Sequence, residues 1–290
     1  KGMLTVLIGA ILNIILVPIF IFVLDMGVRG AALATILSQL VSALWVLRFL
    51  TGGQAVVRLT LPNLRVHWPL LKDILGLGTS GFVMSVTNGL VQIVCNATLQ
   101  SWGGDIYVAV MTVINSIREV VSMPVNGLTN AAQPVLGFNY GAGEYPRVKS
   151  GIRFMSVICV VYTTLIWIIL LIFPRPFIHI FNSSADLLEL GVPAMTVYFF
   201  GFFMMSLQFS GQSTFVALGK SKNAVFFSLF RKVVIVVPLT LLLPHVGGLG
   251  VYGVFLAEPI SNFIGGAACF LTMMRTVWPA LGEKKKAEGR

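Results

Sequence analysis

The 290 residues are 57% hydrophobic and only 10% charged, with 20 Lys and Arg against 10 Asp and Glu, a formal net charge of +10. A soluble globular domain is roughly 25% charged, so this chain cannot cover itself with a water-facing surface and reads as a protein whose solvent is lipid. The three cysteines, Cys95, Cys159 and Cys269, stand singly in apolar runs without a CxxC spacing and read as small buried hydrophobes.

Apolar runs long enough to cross a bilayer, about 20 residues, recur at 3–24, 30–49, 74–100, 105–134, 153–173, 188–216, 224–243 and 250–274. They are continuous rather than alternating, which excludes barrel strands and predicts an all-α polytopic bundle of eight transmembrane helices. Eight spans put both ends and every second loop on one side. That side collects 17 of the 20 Lys and Arg, Arg231 and Lys232 among them; Arg29 and Arg175 lie opposite, and Arg118 lies inside a span. The asymmetry expects the 17, and both termini, on the cytoplasmic side of a cell membrane. A basic tail over anionic headgroups accounts for the net charge without a nucleic-acid partner.

The chain repeats itself. Residues 27–39, GVRGAALATILSQ, and 250–262, GVYGVFLAEPISN, share six of 13 positions, including Gly30/Gly253, Ala34/Ala257 and Ser38/Ser261. A proline inside the preceding span, Pro18 or Pro238, precedes each copy. The first two spans therefore match the last two, and the repeating unit has six. The reading expects residues 1–50 to be the last two helices of one lobe whose first four are missing, and 51–71 to be a cytoplasmic linker. It expects 72–275 to be a complete six-helix second lobe and 276–290 a basic tail. Parallel repeats of this kind are an arrangement of transporters. Helical prolines at Pro18, Pro124, Pro193, Pro238 and Pro259 predict kinks.

Polar residues follow helical spacing within the spans. Thr112, Asn115, Glu119, Ser122, Asn126, Thr129 and Gln133 step by three and four residues along the fourth span and form one stripe. Ser85, Asn88, Gln92, Asn96 and Gln100 form another on the third, and Gln208 and Gln212 lie on the sixth. Interhelical hydrogen bonding is one reading of such stripes. Two long stripes on consecutive spans, one holding a carboxylate, favour a shared water-filled cavity. The candidate lining is Ser85, Asn88, Gln92, Asn96, Asn115, Ser122, Asn126, Gln208 and Gln212. Glu119 lies roughly 21 Å along the helix from Asp105, near mid-membrane, where a charge costs about 2.5–3.5 kcal/mol on insertion scales. A carboxylate whose charge depends on water access is what proton- or cation-coupled transport requires, so Glu119, with Arg118 beside it, is the ion-coupling candidate. The alternative is a static ion pair, for instance of Arg118 with Glu258. The aromatic run from Tyr198 to Phe203 covers every side of its helix and reads mainly as packing.

GLTNAAQPVLGFNYGAG followed by RVKSGIRF resembles the cytoplasmic end of the eighth helix of the MATE family of multidrug and toxin extrusion transporters. GVRGAALAT resembles that family's fifth-to-sixth helix junction. ALGKSKNAVFFSLFRK with PLTLLLP resembles its tenth loop and eleventh helix, and GVYGVFLAEPIS its twelfth. The resemblance implies a twelve-helix antiporter, monomeric, with two lobes around a central cleft, which expels amphipathic, often cationic compounds in exchange for H+ or Na+ and needs no cofactor. Some members carry acids in the seventh and tenth helices, but between Asp73 and Asp105 and between Glu189 and Glu258 this chain has none, which leaves Glu119. A lipid-linked oligosaccharide flippase of the same superfamily is the nearest rival. It calls for a cleft cationic enough for a pyrophosphate, where the sequence offers only Arg118. An intramembrane enzyme finds no support: His67, His179 and His245 read as loop residues, and there is no HExxH motif or catalytic acid pair.

Overall fold

The computed structural model describes residues 2–52 and 67–282, and every regular element among them is helical. Two compact units divide the chain, Lys1–Lys72 and Asp73–Arg290. Among the described residues six helices are long and apolar enough to cross a membrane, or seven if one bent pair counts as a span. Most of the expected linker, 53–66, and Lys1, Lys284, Lys285, Lys286 and Arg290 lie outside the described residues.

In the first unit α1 (Gly2–Pro18) runs on as a π-helical segment, Ile19–Val23, and the chain returns as α2 (Gly27–Thr51). Pro18 has no N–H to give to the ladder, and the wider turn directly after it takes up the mismatch. The buried residues of α2 are Gly30, Ala34 and Ser38, a line of small side chains four apart that lets two backbones approach. A Cβ on Gly30 would stand 2.7 Å from the Phe20 carbonyl oxygen.

The second unit opens with α3 (Trp68–Gly141), which is interrupted at Gly104 with φ 71° and ψ −169°. Only glycine adopts that geometry at low cost, and it falls between the predicted runs 74–100 and 105–134. After α4 (Tyr145–Ile172) comes α5 (Pro174–Phe181), a short helix that buries Ile178. Sequence reasoning reads this stretch as loop around His179; Pro174 at its first position starts it instead.

The predicted span 188–216 is also broken. It becomes α6 (Ala185–Tyr198) and α7 (Phe203–Ala217), bent by 53°. Gly201, at φ 69°, makes the turn. Next come α8 (Ser221–Leu229), a π-helical Phe230–Val236 and α9 (Val237–Leu242). The last pieces are α10 (Val251–Ser261), a π-helical Asn262–Gly266 and α11 (Ala267–Thr276).

The internal repeat has a packing cause. Gly253, Ala257 and Ser261 are buried in α10 as their counterparts are in α2, and a Cβ on Gly253 would stand 2.6 Å from the Leu243 carbonyl carbon. Leu99, Ile114, Phe199 and Phe255 anchor one core of the second unit, and the two π-helical segments of this unit pack against each other.

Candidate functional site

Two cavities open in the second unit, of about 290 Å³ and about 480 Å³. They share a wall made of Asn88, Asn115, Arg118, Arg231 and Lys232. Asn88 comes from the first half of α3, Asn115 and Arg118 from the second, and the two remaining cations from the π-helical segment after α8.

The smaller cavity continues past Gln92, Cys95, Tyr198 and Glu258. A chain of hydrogen bonds crosses its side. The Tyr198 hydroxyl donates to Asn115 Oδ1 at 3.4 Å, Asn115 Nδ2 donates to Gln92 Oε1 at 3.2 Å, and Gln92 Nε2 donates to Asn96 Oδ1 at 3.3 Å. The two stripes therefore bond to one another at Asn115 and Gln92. The larger cavity is lined by the polar Glu119, Ser122, Asn126, Gln208 and Gln212 and by the apolar Met84, Met123, Met205 and Phe209. Gln208 and Gln212 also donate to the carbonyls of Phe227 and Ala224, at 3.4 and 3.1 Å, and so tie α7 to α8. Buried Gln208 Oε1 has no partner among the described residues.

Two of the expected lining residues are elsewhere. Ser85 and Asn96 line neither cavity. Ser85 is exposed at the first position of its stripe, and Asn96 accepts from Gln92 one turn further along the helix. The remaining seven, with Arg118 and Glu119, face one or both cavities. Arg118, about 100° around the helix from Glu119, still reaches both because a guanidinium sits at the end of a long flexible stem.

Glu258 organises the cations. Its Oε1 lies 3.0 Å from Arg231 Nη1 and 3.8 Å from Arg118 Nη1. Arg231 Nη1 also donates to Asn262 Oδ1 at 2.8 Å and Ser261 Oγ at 3.2 Å. Lys232 Nζ donates to Asn88 Oδ1. Among the described residues Lys232 and Glu119 make no ion pair.

The placement of Arg231 and Lys232 on the cytoplasmic side is therefore corrected. They lie ten and eleven residues into the membrane-length helix Ser221–His245, roughly 15 Å from its start, and Arg231 is buried. Counting them with the loop lysines Lys220 and Lys222 hid this, although the predicted span 224–243 already enclosed both.

A family model described as MatE matches residues 82–242, more than half of the chain. The chain belongs to the MatE family. This is a family of multi-pass membrane transporters, not of enzymes, and the match covers every residue that lines the larger cavity and all but Val254 and Glu258 of those that line the smaller one. Among curated relatives, the chain is 24% identical over 261 residues to the multidrug export protein MepA of Staphylococcus saprophyticus, covering 89% of this chain and 57% of that protein. It is 25% identical over 283 residues to an FAD transporter of Shewanella oneidensis, covering 93% and 60%. The chain thus spans less than two thirds of the length of these relatives. Solved structures agree. A MATE transporter in complex with MaL6 matches with a TM-score of 0.87 at 25% identity, covering 98% of this chain and 63% of the other. A MOP superfamily transporter from Pyrococcus furiosus, reported to have a binding pocket of reversed polarity, matches with 0.88 at 25% identity, covering 97% and 63%.

Proposed function

We propose that this chain is part of a secondary active efflux transporter, an antiporter in the cell membrane that exports amphipathic compounds in exchange for H+ or Na+. Counting the two parts of α3 on either side of Gly104 separately, and α6 with α7 as one, gives eight spans. They are the last two helices of one six-helix lobe and all six of a second, with the partner lobe's first four helices supplied by the rest of the transporter, which acts as a monomer. Both ends of the chain lie on the cytoplasmic side. The observation that carries the reading is the larger cavity, where a mid-helix carboxylate, Glu119, opens among amides and methionines without a cationic partner among the described residues.

A coupling carboxylate has to be free to exchange its ion. Glu258, gripped by two guanidiniums, is not, whereas Glu119 is; Arg118 acts on Glu119 only through its nearby charge. The family's cationic cargo would meet Arg118, Arg231 and Lys232 here against two carboxylates, so the sign of the cargo does not follow from family membership. The same three cations favour a second reading, a flippase for a lipid-linked pyrophosphate, because the cationic cleft it calls for is richer than Arg118 alone.

The test is flux of ethidium and of a fluorescein-type dianion through inverted vesicles holding the complete transporter, with proton and sodium gradients imposed separately. One gradient should drive flux. Glu119→Gln should abolish that gradient dependence while the protein still elutes as a folded monomer. Flux indifferent to both gradients would remove the antiport reading, and an unaltered Glu119→Gln protein would remove Glu119.

A further inference from the structure

We infer that the two cavities receive the acidic group of an amphipathic organic anion, a carboxylate or a phosphate, and that Lys232 is the residue that reads it. The inference rests on the efflux reading above and adds the sign of the cargo.

The argument starts from charge. Around the smaller cavity three cations, Arg118, Arg231 and Lys232, face one carboxylate, Glu258. Including Glu119 in the larger cavity, they still outnumber the carboxylates. Away from bulk water an uncompensated charge is expensive, and proteins balance it with a partner. The partners are unevenly distributed. Arg231 holds Glu258, Ser261 and Asn262 with the same nitrogen. Arg118 reaches Glu258 only at 3.8 Å, with its side chain 36% exposed. Among the described residues Lys232 holds only a neutral amide, Asn88. Glu258 is therefore shared by two guanidiniums and cannot neutralise the ammonium as well. An acidic group arriving in the cavity meets an ammonium that can release one neutral hydrogen bond to take it and a guanidinium with spare donors beside it, and charge-assisted bonds of this kind are the strong ones.

The rest of the lining fits the other half of such a molecule. Met84, Met123, Met205 and Phe209 line the larger cavity together with the polar residues of the same helices, and methionine walls adapt to varied apolar shapes. A cation entering the same space would have to approach Lys232 and Arg118 with only Glu119 in its favour. The arrangement selects against it by like-charge repulsion.

The complete transporter in inverted vesicles tests this with three probes: a fluorescein-type dianion, ethidium, and a fluorescent lipid diphosphate whose movement between leaflets is followed by quenching. Wild type should move the dianion, and Lys232→Gln should cut that flux about tenfold or more, the scale of one lost charge-assisted bond. Lys232→Arg, which keeps the charge, should restore most of it. Elution as a folded monomer and increased ethidium flux in Lys232→Gln, as the loss of a repelling charge requires, separate recognition from misfolding. Movement of the lipid diphosphate alone, with the same Lys232 dependence, upholds the acidic group and assigns it to a lipid. Transport of ethidium without either anion, or anion flux indifferent to Lys232→Gln, overturns the inference while leaving efflux standing. If no probe moves, the efflux reading falls and this one with it.

Discussion

At the scale of single residues, the decisive one is Glu258. Two guanidiniums converge on it, and one belongs to a buried arginine. Removing one member of a buried ionic group typically costs about 3–5 kcal/mol, because the remaining charge is stranded. Glu258→Gln should therefore lower the melting temperature in detergent sharply, while Arg118→Gln should lower it far less, since Arg231 still neutralises Glu258. Equal and small shifts would show that the cluster is not held together by charge. The polar stripes that carry Asn88, Asn115, Glu119, Ser122 and Asn126 were legible because three- and four-residue steps put them on one face of an apolar helix. Arg231 and Lys232 were not, because two basic residues a short way from a basic loop look like part of it. Pairing of Glu258 with Arg118 was open to sequence reasoning; only the folded arrangement adds Arg231, from the segment after α8.

At the scale of elements, the bend between α6 and α7 separates what the pattern of apolar residues shows from what it hides. Hydropathy marks the run as apolar from end to end, and a lone glycine inside a membrane helix is common enough to pass unnoticed. The reason for the break is conformational: Gly201 sits at φ 69°, and a Cβ there would run into the ring of Phe263. Gly201→Ala should destabilise the protein by about 1–3 kcal/mol, the cost of a side chain held in a sparsely populated backbone region. Adding Phe263→Ala should relieve the steric part and leave the conformational part. Thermal unfolding in detergent reads both; a neutral Gly201→Ala would mean that the bend is not where the chain turns. The break at Gly104 was easier to anticipate, because Gly103 and Gly104 interrupt the apolar run with Gln100 and Ser101 before them and Asp105 after.

At the scale of the whole molecule, the sequence carries the class and the membrane setting, since both depend on summed hydrophobicity and sided charge. Cavities depend on which faces meet, and a single chain pattern leaves that open. The structure divides the stripes: a mutually bonded stretch through Gln92, Asn96 and Asn115, and an exposed one at Asn126 on the larger cavity. In a cysteine-free background, a cysteine placed at Asn126 should react quickly with a water-soluble thiol reagent. One at Asn96 should react at least about tenfold more slowly, as expected where exposure governs thiol chemistry. Uniform labelling would contradict the division.

The π-helical turn that carries Arg231 has a consequence for how such a site varies. A π turn closes its bonds five residues apart instead of four, so it holds one residue more than an α turn in nearly the same length. Dropping one apolar residue from Phe230–Val236 would let the helix close as ordinary α with its two flanks nearly in their former phase, so the change of aim falls on the side chains inside the turn. Arg231 and Lys232 are among them, and they would turn relative to the opening with no basic residue replaced. Chain length at this one turn therefore governs where the two cations point, and two homologues with matching residues but one gap here would be expected to present different charge to their cargo.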